Sequence, residues 1–75
     1  MEKLAEGTWD YTLYRDGERL VLVVVCGTVG IFEWAVTLTA EERAVWEAEG
    51  MDGLRYLVRA IRNNPVGFTD RRVPF

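Results

Sequence analysis

Asp10, Tyr14 and Glu33 come nearest to an acid–base set: two carboxylates and a phenol, the inventory of a glycosidase-like pair. Little else supports catalysis. The chain has no histidine, serine or glutamine, so neither a Ser-His-Asp nor a Cys-His relay can be built. Zinc sites made of His, or of several Cys, are excluded in the same way. Cys26 is the lone cysteine. It closes an apolar run, has no histidine to lower its pKa, and reads as a small buried hydrophobe. Glu41, Glu42, Glu47 and Glu49 do not follow the spacing of a calcium loop and read as helix-capping and solubilising charge. Gly27-Thr28-Val29-Gly30 lacks the lysine and the strand-to-helix setting of a phosphate loop. The expectation is a protein that is not an enzyme, with no cofactor, no metal and no small-molecule ligand. A carboxylate-based enzyme is the alternative, limited by the little room a 75-residue chain leaves beside its core for a substrate pocket.

Charge gives a second candidate. The net charge is −3, but residues 1–54 carry 11 acids and 4 bases while residues 55–75 carry 1 acid and 5 bases. Arg55, Arg59 and Arg62 recur at helical spacing, and Arg71 and Arg72 follow in the tail. The five form a candidate patch for an anionic partner, set against the plainer reading of a solvated helix face whose late arginines suit the helix dipole. An acidic chain without a broad basic footprint does not point to nucleic acid. No segment is apolar for long enough to span a bilayer, and the acidic start lacks the apolar core of a signal peptide. A cytoplasmic protein with no membrane partner is expected.

These side chains must be held by some framework. Thr8 to Arg15 alternates Trp9, Tyr11 and Leu13 with polar residues, the period of a half-buried strand. Asp16-Gly17 predicts a two-residue turn, which sets Leu13 opposite Leu20, Tyr11 opposite Leu22 and Trp9 opposite Val24. Arg19 to Cys26 is apolar on both faces, as in a central strand. A three-residue loop, Thr28-Val29-Gly30, then sets Cys26 opposite Phe32, Val24 opposite Trp34 and Leu22 opposite Val36. The two-residue alternative would turn Glu33 into the core at a cost of several kcal/mol. Thr39 with Glu42 forms a capping box for a helix ending at Gly50. Ala44, Val45 and Ala48 would define its inner side, leaving Trp46 half covered. Asp52 caps a second helix, with the stripe Leu54, Leu57, Val58 and Ile61 facing inward, and Pro65 stops it. The fold class is α+β: one small domain over residues 1–75, a three-stranded antiparallel meander followed by two short helices packed on one face. Residues 1–7 and 66–75 are read as irregular termini.

Two helices cannot cover both faces of the sheet. Val21, Val23, Val25, Ile31, Ala35 and Tyr14 would share the second face and form an exposed apolar patch unless Phe68, Val73 and Phe75 in the tail fold over it. A chain this short has a thin stability margin, and a partner chain is the usual aid. The expected function is therefore a small protein-interaction module that binds another protein or self-associates as a homodimer, with that patch as candidate interface. Pairing of open strand edges into a six-stranded sheet is a variant of the same idea. The alternative function is an acidic, antitoxin- or immunity-like inhibitor of a basic partner.

Overall fold

A computed structural model describes residues 2–8, 10–27 and 32–74. Four strands, β1 (Glu2–Gly7), β2 (Tyr11–Asp16), β3 (Arg19–Cys26) and β4 (Phe32–Thr37), form one antiparallel sheet in sequence order. Helices α1 (Ala40–Glu49) and α2 (Met51–Asn63) follow, then a 3-10 segment over Pro65–Arg71 with a kink at Phe68. The α+β class and the two-helix ending are as expected, but the sheet has four strands rather than three. The addition is β1, in the stretch read as an irregular terminus. Its residues, Glu-Lys-Leu-Ala-Glu-Gly, have weak strand preference, and pairing with β2 holds them. A bulge between Lys3 and Ala5 inserts Leu4. Leu4 and Ala5 consequently both pack against the core.

The β2–β3 register is displaced by two from the expected one. Leu13 opposes Leu22, Tyr11 opposes Val24, and Asp16 opposes Arg19. The loop is Gly17-Glu18, with Gly17 at φ 65°, a conformation that suits glycine. Asp16 is drawn into the ladder by Arg19, whose Nη2 lies 2.9 Å from the carboxylate. A shift of two preserves every face, so the core residues are unaffected. The β3–β4 register is the expected one, pairing Cys26 with Phe32, Val24 with Trp34 and Leu22 with Val36. The loop proposed for it, and Trp9, Ile31 and Phe75, lie outside the described residues.

One face of the sheet packs Leu13, Leu22, Val24 and Val36 against Leu54, Leu57, Val58 and Ile61 of α2. The expected capping box at Thr39 and Glu42 is present, and Gly50 ends α1. The inner side of α1 is Glu42, Val45 and Trp46; Ala44 and Ala48 are exposed. Asp52 does not cap α2. That helix starts at Met51 after Gly50, and Asp52 sits in its first turn.

The expected apolar patch is not open. Val21 is 0%, Val23 1% and Ala35 2% exposed within the single chain, and Tyr14 and Val73 pack against them. The tail achieves this by strand-like addition: Arg72 bridges to Val36, and Val73 N–H donates to Ala35 O at 2.9 Å. Val25 is half-buried.

Candidate functional site

The five arginines of the expected patch do not come together. Arg62, on the last turns of α2, donates to Val25 O at 3.0 Å and Asp10 O at 3.1 Å, and pairs with the Asp10 carboxylate. It ties α2 to the start of β2 and the end of β3. Arg71 donates to Thr37 O at 3.0 Å and pairs with Glu42. Thr37 opposes Val21 while Val25 opposes Glu33, so the two clamps sit at opposite ends of the sheet. Arg72 turns to the helix-covered side, its guanidinium 4.0 Å over the Trp34 ring. Arg55 pairs with Asp52 at 3.3 Å, both exposed. Arg59 has no ion-pair partner among the described residues; with Arg55 and Arg62 it borders a small hollow of about 110 Å³ beside Asp10, Tyr11 and Val58.

Arg62 and Arg71 thus act as internal clamps, and Arg43 does the same from α1 by donating to Glu18 O in the β2–β3 loop. Each of the three reaches a backbone carbonyl of a distant segment. Sequence reasoning missed this because any carbonyl can accept, and no residue type marks which one will.

Glu42 is the most buried charge, at 9% exposure. Its Oε1 accepts from Thr39 N–H at 2.9 Å and also meets Arg71. One carboxylate oxygen therefore caps α1 and anchors the tail. Cys26 is buried, its thiol 3.5 Å from Val24 O. Burial pushes the thiol above the ordinary value of 9.0, with the Arg62 charge pulling weakly the other way. It is held as the neutral thiol, poorly suited to nucleophilic attack.

The acid–base trio is split. Tyr14 opposes Val21, whereas Glu33 opposes Val25 at the other end of β3, and Asp10 is taken by Arg62. Among the described residues no three of His, Cys, Asp and Glu gather as metal ligands. No described helix is long and apolar enough to cross a membrane.

Two surface features stand out beside a hollow of about 490 Å³ bordered by Glu33, Ala35, Arg72, Val73 and Pro74. The first is the outer edge of β1. The strand order leaves β1 and β4 at the sheet edges, and residues 72–73 run along β4. No described strand pairs with the outer side of β1. Lys3 and Glu6 there are exposed, 3.3 Å apart. The second feature is a groove of about 500 Å³ at the Val25 end of the sheet, bordered by Glu6, Asp10, Thr12, Val25, Phe32 and Glu33. Phe32 is 45% exposed and meets Trp34 edge-on, ring centroids 6.5 Å apart. Strand alternation foretold that Glu33 points away from the core; the groove itself depends on β1, which the sequence did not reveal.

Comparison with family models, with curated proteins and with solved structures returns no match.

Proposed function

We propose that the chain is a non-enzymatic protein-interaction module that associates with a second copy of itself through β1. The observation that carries this reading is the inequality of the two sheet edges: the tail occupies the β4 side, and the β1 side is open among the described residues. An open edge is a row of backbone donors and acceptors able to receive another strand.

The sequence of β1 favours one register. In a two-fold antiparallel arrangement centred between Leu4 and Ala5, Lys3 of each copy opposes Glu6 of the other. Lys3 opposes Tyr14 and Glu6 opposes Thr12 within the chain, so both project from the second face. Opposite charges meet directly across the new ladder, which contributes roughly 0.2–1 kcal/mol per pair. A cytoplasmic setting suits the single Cys26 thiol.

Sedimentation velocity and thermal melting from micromolar to near-millimolar concentration test the reading. The expected result is a monomer–dimer equilibrium with a melting temperature that rises with concentration. A single monomeric species with a constant melting temperature would remove it.

A further inference from the structure

One flank of α2 collects three arginines. Arg55, Arg59 and Arg62 recur at i, i+4 and i+7, which sets them on one side of the helix next to the buried Val58. That side meets the start of β2, where Asp10 and Tyr11 complete the border of a hollow of about 110 Å³. Its floor is fixed. Val58 belongs to the core, and the half-buried Tyr11 ring is seated on Gly7, where a Cβ would lie 2.6 Å from Tyr11 Cε1. Arg55 and Arg59 are exposed.

The charges around this hollow do not cancel. Three guanidiniums and one carboxylate border it, and the carboxylate, Asp10, is taken by Arg62. Arg55 keeps one contact, 3.3 Å to Asp52, with the two side chains 68% and 88% exposed. A pair so open to water contributes little. Arg59 has no ion pair among the described residues. The negative end of the α2 dipole offsets only about half a charge. An excess of positive charge is left at this border, in a chain whose net charge is −3.

Two guanidiniums one helical turn apart suit a group that can accept from both. Guanidinium forks pair with carboxylate and phosphate oxygens. A carboxylate brings one negative charge, whereas a phosphate monoester brings about 1.5 to 2 at neutral pH and three strong acceptor oxygens. The second is the better match to the excess. Size agrees: the hollow has room for about four groups of water's share of liquid volume, ~30 Å³ each. That admits one phosphate and leaves any larger attached group outside.

We infer that the hollow between α2 and the start of β2 binds a single dianionic phosphate group, free or at the end of a small ester. Arg59 and Arg55 hold its oxygens over Tyr11 and Val58, and Arg62 keeps the Asp10 carboxylate engaged. The site uses neither Lys3 nor Glu6, so it stands apart from self-association through β1. It also departs from the expectation that the chain takes no small-molecule ligand.

The test follows backbone amide chemical shifts of the full chain at low salt, with four probes: inorganic phosphate, methyl phosphate, dimethyl phosphate and acetate. Inorganic phosphate is expected to shift the amides of Asp10, Tyr11, Val58 and Arg59 in a saturable way, more weakly as salt rises. The singly charged dimethyl phosphate and acetate are expected to bind at least about tenfold more weakly. Methyl phosphate separates the two sources: binding equal to inorganic phosphate supports an ester, and binding of the inorganic ion alone supports free phosphate. Arg59→Gln and Arg55→Gln change exposed side chains, and circular dichroism checks that both stay folded. Each should weaken phosphate about tenfold, while Arg19→Gln, in the β2–β3 loop region, should not. Shifts that do not saturate, acetate binding as tightly as phosphate, or unchanged affinity in Arg59→Gln would each overturn the inference.

Discussion

Arg71 shows how one side chain can join three segments. It holds Thr37 O at the end of β4 and the Glu42 carboxylate on α1 while itself belonging to the tail. Replacing it with methionine keeps much of the stem but leaves a nearly buried carboxylate with one partner fewer. Hydrogen bonds to charged groups contribute about 1.5–3 kcal/mol, so Arg71→Met should lower stability by about that much. Urea denaturation reads this as a lower midpoint at constant slope. In a Glu42→Gln background the same change should cost less, because the stranded charge is gone. Gly53 is the second residue-scale case. A Cβ there would lie 2.6 Å from Val45 Cγ1 and 2.8 Å from Glu49 Cβ, on the facing side of α1. Alanine gains up to about 1 kcal/mol in helix preference over glycine, whereas overpacking costs about 1–3 kcal/mol. Overpacking wins, so Gly53→Ala should destabilise by roughly 1 kcal/mol, and a Val45→Ala background should reduce that cost without abolishing it, because the Glu49 Cβ contact stays. Melts of the single and double variants decide it.

Among the elements, the tail is the one whose role differs most from its appearance. It shows no apolar period, yet residues 72–73 extend the sheet and Val73 closes over Val21, Val23 and Ala35. Val73→Asp should lift that cover. A carboxylate against this apolar cluster costs about 1–3 kcal/mol, and binding of an apolar dye should increase. An unchanged melt without dye binding would mean that the tail does not protect the face. The tail was illegible because strand addition at an edge needs backbone groups, not a side-chain pattern. The same holds for β1, whose charged residues look like an unstructured terminus until β2 gives them a ladder. Strand β3, β4 and the stripe of α2 were legible, since each buries residues at a fixed period. The β3–β4 register followed from keeping Glu33 out of the core. The β2–β3 register was missed by two because Asp-Gly marks a turn centre locally, while Arg19 captures Asp16 into the ladder. That error left the core prediction intact and moved no residue between faces. The candidate interface fared differently. Its described residues, Val21, Val23, Val25, Ala35 and Tyr14, do share a face, and of the tail residues named as possible cover Val73 is the one that packs on it.

At the scale of the whole molecule, the chain has a radius of gyration of 11.4 Å, which matches about 11 Å for a compact chain of this length. Small size with no disulfide leaves a thin margin; here three arginine clamps and the tail tighten a sheet covered by helices on one side only. The unpaired outer side of β1 is what a second copy can use. Its central test is a charge swap across that edge, read by sedimentation velocity and with folding checked by circular dichroism. Lys3 and Glu6 are exposed, so reversing either one should leave the fold in place. The native chain is expected to dimerise, Lys3→Glu to be monomeric at the same concentration, and Lys3→Glu with Glu6→Lys to dimerise again. A native chain that stays monomeric, or a Lys3→Glu variant that dimerises as strongly as the native chain, would contradict it.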